Sequence, residues 1–542
     1  MQCVDRELLE RRGLAPLEIG RALQVPDGAA AAADVRRWRG EATVRTTVIL
    51  LPLLACSIAA AQNLPVVAFD STFDDATLRV DFYQVGNAAT ELVSLDRLIR
   101  QGPWAGPRSG LIDPFRLGRY AIELRDPADD RLLFERGFDS YFGEYRTTEA
   151  ARGGTVRAYH NSMLVPMPLR PAVLVISARA AGAPAVELLR QTIDPASQEI
   201  AAEAPAPGAI VIEAHPGGDP HRTLDIAIVG EGYLESEAAR FREDLARVTG
   251  VLLGFEPYAS HRDRIAVRGV LVPSASSGVD EPSRGTFRST AVNATFDSLG
   301  SERYLLTEDN RALRDVAANV PYDVLIIMVN HDRYGGGGIY NAYCTFTARS
   351  SWSDYLLLHE LGHSFAGLAD EYYTSDVAYS DFYPPGTEPA ERNITALLAP
   401  GGLKWRDLVA EGTPIPTPWD KAAFDAASKV YEDRRRDLND RIARASRAGD
   451  PLGEVEGLEQ EQEQLAVEHT ELTRRALAGE PFAGQVGAFE GAGYASTGLY
   501  RPMLDCLMFR RGVQPFCRVC QQAVEDAILH FTGGDRGGVG QP

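Results

Sequence analysis

The chain has 542 residues, of which 45% are hydrophobic and 24% are charged, and its formal net charge is −20. This composition is typical of a globular protein with about two to four domains. The acidic excess argues against nucleic acid or an anionic membrane surface as the main partner. Lysine occurs only at Lys404, Lys421 and Lys429, whereas arginine is abundant. We interpret this bias as GC-rich codon usage and a bacterial origin.

Residues 1–61 are predicted to be a leader with an export signal. The stretch VRTTVILLPLLACSIAAAQ, from Val44 to Gln62, places an arginine before a short apolar run and then small residues. This is the layout of a secretory signal, and the run is too short to span a bilayer comfortably. The true start could be Val44. Cleavage after Ala61 predicts a secreted or periplasmic chain without a transmembrane anchor, whereas processing at Cys56 would leave a lipid anchor at the cell surface.

Residues 62–204 are predicted to form an antiparallel β-sandwich. Stretches such as TLRVDFYQVG, GRYAIELRD and AVLVISARA alternate between apolar and polar residues and are separated by Gly, Pro and Asp, which is typical of short antiparallel strands. We find no cluster of metal-ligand residue types there, so we interpret this domain as accessory. The stretch EAPAPGA, Glu203 to Ala209, is the predicted hinge.

Residues 210–535 are predicted to form an α/β (α+β) domain. The apolar strand cores of TLDIAIVGEGY, RIAVRGVLVP and YDVLIIMVN are separated by amphipathic stretches near 236–251 and 307–318, a pattern that indicates a sheet covered by helices. Four glycines, Gly335 to Gly338, then lead into IYNAYCTFTA. We expect Ile339 to Tyr343 to be an exposed edge strand.

A helical hairpin is predicted as an insertion at about 418–478. Apolar residues recur there at spacings of three, four and seven, which indicates two helices with narrow packed seams. The stretch AGDPLG, Ala448 to Gly453, is the predicted turn between them. The insertion could bind a partner or simply be a solvated addition.

The stretch SDYLLLHELGHSFAG contains the motif HExxH, formed by His359, Glu360 and His363. Residues i and i+4 share one helical face, so two imidazoles can meet one metal ion while the glutamate lies close to a bound water. We expect one catalytic Zn²⁺ ion, with Glu360 as general base and then general acid in peptide hydrolysis. Ser353 or Asp354 is the predicted helix cap, and the helix should end at Gly367.

A catalytic zinc ion usually has three protein ligands. Asp370 and Glu371 follow the predicted end of the helix at Gly367. We predict Asp370 as the third metal ligand, with Glu371 as the alternative. A glutamate from a later helix is a third alternative.

Cysteines are few beyond the leader. Four occur there, Cys344, Cys506, Cys517 and Cys520. In an oxidising compartment they permit three pairings, and the sequence does not choose among them. Cys517 and Cys520 form a CxxC pair that would also suit zinc or redox chemistry, but a second CxxC is missing. We therefore expect a structural disulfide.

The sequence resembles the M64 metallopeptidases, the family that includes bacterial immunoglobulin A peptidases. The resemblance is carried by HELGHSFAGLADEYY, by DIAIVGEGYLESE before it and by YRPMLDCLMFRRGVQPFCRVC after it. It implies a metzincin-like zinc peptidase domain with a methionine turn beneath the metal. Met508 in DCLM fits that turn best and Met503 is the alternative, although either could be an ordinary core methionine.

The sequence departs from the common metzincin pattern HExxHxxGxxH. Alanine occupies the expected glycine and third-histidine positions, Ala366 and Ala369. Gly367 and Asp370 each follow one residue later, as if the loop were one residue longer. We assign no role to Glu231 in IVGEGY, where many relatives of this kind would have aspartate.

An extended substrate is expected to pair with the predicted edge strand. Tyr340 and Tyr343 would then line subsites or support an oxyanion, or else they only pack. The roles of Tyr372 and Tyr373 stay open in the same way.

Together these features predict an exported zinc endopeptidase that acts on proteins or peptides. Two alternatives are a zinc peptidase of narrow specificity with a different third ligand, and a cell-surface binding protein that keeps a peptidase fold without catalysis. The sequence does not show the substrate, because specificity depends on pocket shape. It does not show the oligomeric state either.

Overall fold

The computed structural model describes residues 66–179, 184–374, 382–399, 401–450 and 452–534. The predicted export signal, with its alternatives at Val44, Cys56 and Ala61, lies outside the described residues. None of the helices in the described ranges is both long and apolar enough to cross a membrane.

The N-terminal part consists of two four-stranded sheets that share one hydrophobic core. Their strand orders are β5-β1-β2-β8 and β4-β3-β6-β7. The fully buried side chains of Val80, Phe82, Ile122 and Leu174 come from both sheets, as alternation along each strand requires. The elements are α1 (Phe69–Thr72), β1 (Phe73–Gly86), β2 (Glu91–Arg100), β3 (Tyr120–Arg125), β4 (Leu132–Phe138), α2 (Tyr141–Tyr145), α3 (Glu149–Arg152), β5 (Arg157–Pro168), β6 (Ala172–Ala178), β7 (Val186–Ile193) and β8 (Ile200–Ala202).

The second part is built on a six-stranded mixed sheet of order β15-β16-β14-β10-β11-β9. The four central strands are parallel, and the two outer strands β15 and β9 run antiparallel to their neighbours. The elements are β9 (Ile210–His215), β10 (Leu224–Glu231), α4 (Ala238–Gly254), β11 (Ile265–Leu271), β12 (Ala294–Thr295), β13 (Leu306–Thr307), α5 (Asn310–Ala317), β14 (Val324–Val329), β15 (Gly336–Ile339), β16 (Tyr343–Thr347) and α6 (Ser353–Ala366).

Both faces of this sheet are covered. On one face Ile226 and Ile326 belong to the same apolar cluster as residues of α4 and α6. On the other face Ala227 and Ile327 join Leu313 of α5 in a second cluster, which also contains Tyr141, Phe142 and Tyr159 of the N-terminal part. Helix α5 and the N-terminal part therefore together cover the face of the sheet that α4 and α6 leave open.

Helix α6 ends where the sequence predicts, but it begins differently. Gly367 has φ 58° and ψ 37°, a left-handed conformation that glycine adopts without strain, and its N–H donates to the His363 carbonyl at 3.1 Å. The predicted cap by Ser353 or Asp354 is wrong. Trp352 precedes the helix without a side-chain cap, because Ser353 and Asp354 are already the first two helical residues. Both of their side chains accept hydrogen bonds from the guanidinium of Arg247.

Two long helices and a C-terminal segment complete the fold. The elements are α7 (Lys421–Arg447), α8 (Val455–Ala478), β17 (Phe489–Ala492), β18 (Ala495–Arg501) and α9 (Arg518–Phe531). Leu438, Ile442 and Leu458 form a small buried cluster between α7 and α8. Glu463 of α8 accepts hydrogen bonds from the Ser351 hydroxyl at 2.7 Å and the Trp352 indole at 3.0 Å, which attaches α8 to the start of α6.

Candidate functional site

The two histidines of HExxH point at one place, and a carboxylate meets them there. The Nε2 atoms of His359 and His363 are 3.2 Å apart. Oδ1 of Asp370 lies 3.1 Å from the first and 3.2 Å from the second. Three donors of a tetrahedral zinc ion at about 2.0–2.1 Å are about 3.3 Å apart. The three side chains therefore have the spacing that a shared metal ion requires.

The other ring nitrogens of both histidines are bound by the protein. Nδ1 of His359 lies 3.2 Å from the Leu507 carbonyl oxygen, and Nδ1 of His363 lies 2.6 Å from that of Leu368. A carbonyl only accepts, so each Nδ1 must carry the proton and each Nε2 is left free to bind a metal ion. The segment containing Leu507 is thus part of the site.

Asp370 is held by a loop that is distant in sequence. The Tyr494 hydroxyl donates to its Oδ2, and the Gly493 N–H donates to its carbonyl at 3.0 Å. Burial favours the neutral carboxyl group, but the two imidazoles outweigh it and hold the pKa of Asp370 well below its usual range. Burial likewise lowers the pKa of His363, but the Asp370 carboxylate outweighs that effect and raises the pKa to about 9. The negative charge of Asp370 is therefore held directly against the two imidazoles.

Glu371, the alternative third ligand, points elsewhere. Its Oε1 accepts a hydrogen bond from the Asn393 amide at 3.1 Å and lies 3.2 Å from the sulfur of Cys520. Asn393 also binds the backbone N–H and carbonyl of Ala369, both at 2.9 Å. Consecutive carboxylates thus serve two different clusters, and the histidine pair meets Asp370.

Glu360 faces the same site as the imidazoles. A carboxylate oxygen of Glu360 and the donor nitrogens of His359 and His363 all lie within 4.8 Å of one another. Burial raises the pKa of Glu360, partly offset by the neighbouring imidazoles. This carboxylate can exchange a proton with a group held between it and the histidines.

The edge strand begins about three residues earlier in the chain than the predicted one. β15 comprises Gly336–Ile339, and Tyr340 to Ala342 form the tight turn into β16. The glycines are required because α6 lies directly on the strand. A Cβ on Gly338 would lie 2.5 Å from the Glu360 carbonyl oxygen, and one on Gly336 would lie 2.9 Å from Oε1 of Glu360. The sequence analysis had assigned the strand to the bulky residues after the glycines, whereas three of the glycines themselves form most of it.

Comparison with known proteins decides the family. A family model described as IgA Peptidase M64 matches residues 212–528. The chain belongs to the M64 peptidase family. A model described as Peptidase M64 N-terminus also matches residues 68–189. No curated protein matches the chain. Membership of M64 places this chain among peptidases and implies protein substrates.

A cleft of about 940 Å³ opens onto the HExxH motif of this M64 chain. Its walls include Arg119 and Asp139 of the N-terminal part, Tyr431 of α7 and His469 of α8. The N-terminal part, which we interpreted as accessory, therefore shapes the space where a substrate would lie.

Arg303 and Tyr494 are cleft residues that sequence reasoning missed. Arg303 is half-buried beside the site, and its Nη2 donates to the Tyr372 hydroxyl at 3.0 Å. Neither residue belongs to a spacing motif. The only available signal for Tyr494 was its glycine-rich context, GAGYAS.

The four tyrosines singled out in the sequence separate into two pairs. Tyr340 and Tyr372 line the cleft. The Tyr343 hydroxyl donates to the Thr307 carbonyl at 2.7 Å within the core, and that of Tyr373 donates to Asp425 at 2.7 Å. Tyr343 and Tyr373 therefore serve packing.

Glu231 is held in the protein interior by backbone hydrogen bonds. It is fully buried, and its carboxylate accepts hydrogen bonds from the Val292 N–H at 3.0 Å and the Ala294 N–H at 2.9 Å. These bonds fix the loop after β11.

Met508 lies beneath the motif helix. It is fully buried, and its sulfur is 3.0 Å from where a Cβ on Gly362 would be, so Gly362 makes room for it. Its carbonyl accepts a hydrogen bond from the Glu371 N–H at 2.8 Å. Met503 is only partly buried.

The expected structural disulfide is absent. Cys344, Cys506, Cys517 and Cys520 are all free and buried. Sγ of Cys506 lies 3.9 Å from Sγ of Cys520, whereas a disulfide bond is about 2.05 Å long. Cys344 is in a different place, in β16 of the large sheet.

Proposed function

We propose that this M64 chain is an exported, zinc-dependent endopeptidase. His359, His363 and Asp370 would hold the zinc ion, and Glu360 would act as general base and then general acid. One observation carries the proposal: three donor atoms lie 3.1–3.2 Å from one another. Apart from the imidazoles, Asp370 Oδ1 has no hydrogen-bond partner among the described residues, as expected for a ligand atom.

When bound, the zinc ion supplies a Lewis acid that polarises a peptide carbonyl and lowers the pKa of a water molecule. The protein supplies the proton transfers. Glu360 accepts the proton of the attacking water and then donates it to the leaving amine. Burial raises its pKa, which favours the protonated form that donates to the leaving amine. Arg303 places a positive charge beside the site.

The substrate is proposed to bind in extended form along β15. Main-chain groups alternate between the two sides of a strand. At the outer edge Gly336 is already paired, because its N–H donates to the Arg303 carbonyl at 3.2 Å and its carbonyl accepts from the Leu305 N–H at 3.1 Å. Gly338 has the same orientation, so pairing with a substrate would begin there. This mode uses backbone hydrogen bonds and gives the side-chain preference to the cleft walls.

We also propose a metzincin-like arrangement, with Met508 as the methionine beneath the metal and α7 with α8 as a helical hairpin inserted into the peptidase domain. Export through the segment from Val44 to Ala61 is part of the same proposal. N-terminal sequencing of the secreted chain tests it. Modification at Cys56 would indicate a lipid anchor instead.

Glu360→Gln tests catalysis. We expect it to retain zinc and to lower kcat/KM on a mixture of denatured proteins by about 10²–10⁴-fold. Glu432→Gln is a matched control, because Glu432 lines the same cleft and binds Arg435 at 2.8 Å, and it should keep most of the activity. Unchanged cleavage by Glu360→Gln would refute the enzymatic proposal and favour a non-catalytic binding protein.

Asp370→Ala tests the third ligand. We expect loss of zinc from the site together with loss of cleavage. Unchanged zinc content would support the alternative zinc peptidase with another third ligand.

A further inference from the structure

A second cluster of metal-ligand side chains lies behind the candidate active site. It consists of Glu371, Cys506, Cys517 and Cys520, which are all buried and whose ligand atoms all lie within 4.8 Å of one another. The mechanism proposed above uses none of them. Burying a carboxyl group among them, one oxygen of which is unpartnered within the part of the chain that the structure describes, is costly unless that group binds something.

The distances fit one tetrahedral metal ion. Two sulfurs at about 2.3 Å from zinc are about 3.8 Å apart, and a sulfur and a carboxylate oxygen are about 3.5 Å apart. The sulfurs of Cys506 and Cys520 are 3.9 Å apart. Oε1 of Glu371 is 3.6 Å from the sulfur of Cys517 and 3.2 Å from that of Cys520.

Two of the sulfurs accept backbone hydrogen bonds that stabilise a thiolate, against the burial that raises the pKa of the Cys506 thiol. Sγ of Cys506 accepts from the N–H groups of Cys517 at 3.1 Å and Met508 at 3.4 Å. Sγ of Cys517 caps α9 and accepts from the Cys520 N–H at 3.4 Å. Backbone N–H groups and the positive end of a helix both stabilise negatively charged sulfur.

The second oxygen of Glu371 and a nearby arginine support the same conclusion. Oε2 of Glu371 is buried without a hydrogen-bond partner among the described residues. Arg501 is fully buried, and its charge acts on both Glu371 and Cys506. Three thiolates and one carboxylate around a divalent ion leave two negative charges, which a buried guanidinium partly offsets.

One other group of possible metal ligands occurs among the described residues, and it has a different explanation. Asp81, Asp96 and His160 also lie together, but arginines already neutralise them. Arg79 and Arg97 bind Asp81 at 2.7 Å and 2.9 Å. That group is an ion-pair network.

We propose that Glu371, Cys506, Cys517 and Cys520 hold a structural zinc ion. Four protein ligands close the coordination shell, as in structural zinc sites, and thiolates select a soft metal. The zinc ion would fix the two chain segments that hold the candidate active-site residues in place. Cys506 is followed directly by Leu507, whose carbonyl orients His359, and Glu371 follows Asp370 in the chain.

The test is metal content together with cobalt substitution in the full-length chain. The parent should bind two zinc ions per chain, and the double variant His359→Ala/His363→Ala should keep one. After the zinc is exchanged for cobalt, this double variant should show a near-ultraviolet thiolate-to-cobalt charge-transfer band. This measurement leaves every cysteine in place, so it does not depend on whether a cysteine variant folds.

Two further variants locate the ligands. Glu371→Gln should change the cobalt spectrum while the thiolate band persists. Cys517→Ser/Cys520→Ser should lose the band and one zinc ion. Cys344→Ser is the control, because Cys344 is buried elsewhere, and it should keep both.

Two results would overturn the inference. One is a His359→Ala/His363→Ala chain that binds no metal. The other is mass spectrometry of the non-reduced parent showing a disulfide between any two of Cys506, Cys517 and Cys520. Neither result bears on the first metal site, whose failure would instead appear as a parent chain with one zinc ion that the histidine variants retain.

Discussion

Replacing Gly338 by alanine tests how closely α6 must lie on β15. The added Cβ would lie 2.5 Å from the carbonyl oxygen of Glu360 and 2.9 Å from Cβ of His363. Both neighbours belong to the rigid frame of the helix, and comfortable contacts between such atoms are about 3.5 Å. Helix and strand must therefore separate by roughly 1 Å, which moves Glu360 relative to a substrate held on the strand.

The size of the effect follows from that displacement. A shift of about 1 Å in the reacting geometry costs on the order of 100-fold in rate, and overpacking a tight contact costs about 1–3 kcal/mol of stability. We expect Gly338→Ala to lower kcat/KM by about 100-fold and the free energy of unfolding by about 2 kcal/mol. Zinc should stay bound, because His359 and His363 move together with the helix.

Gly337→Ala is the matched control on the same strand. Its Cβ would meet the end of the Leu306 side chain at 2.7 Å, and a flexible side chain can move aside. The assays are kcat/KM on a protein substrate, urea unfolding and zinc content. Parent-like activity of Gly338→Ala, or equal losses in the two variants, would refute the reasoning that the spacing between α6 and β15 positions Glu360.

Three further predictions concern other parts of the chain. Tyr494→Phe removes the donor to Asp370 Oδ2 and should weaken zinc binding at that site by about 10–100-fold in chelator competition; parent-like affinity would show that this bond does not orient the ligand. Burial and the charge of Asp225 raise the pKa of half-buried Asp323 to about 8, so its neutral form stabilises the fold at low pH and this stability is lost as pH rises to about 8. Asp323→Asn should therefore gain about 4 kcal/mol over the parent between pH 5 and 9 in urea unfolding, and a difference independent of pH would contradict this. Leu438→Ala should cost about 2–5 kcal/mol, seen as faster hydrogen exchange in α7 and α8, since Leu438 is 1% exposed; unchanged exchange there would show that the helices do not depend on this contact.

The sequence by itself determined the features that depend on local spacing. The HExxH motif needs only the helical repeat to bring His359 and His363 together, and Gly367 ends that helix because its backbone is left-handed. The amphipathic stretches near 236–251 and 307–318 become α4 and α5. Periodicity is a property of neighbouring residues, so it can be interpreted without knowing the fold.

Only the tertiary structure decided which side chains meet across the chain. Asp370 and Glu371 are adjacent, and their separate roles depend on Tyr494 on one side and Cys520 on the other, more than 100 residues away. The same distance effect brings Cys506 beside Cys517 and Cys520, where the expected oxidising compartment and the lack of a second CxxC had suggested a disulfide. Contacts of this kind arise because α6 packs on β15 and on the segment after β18. No pattern among neighbouring residues in the sequence contains that information.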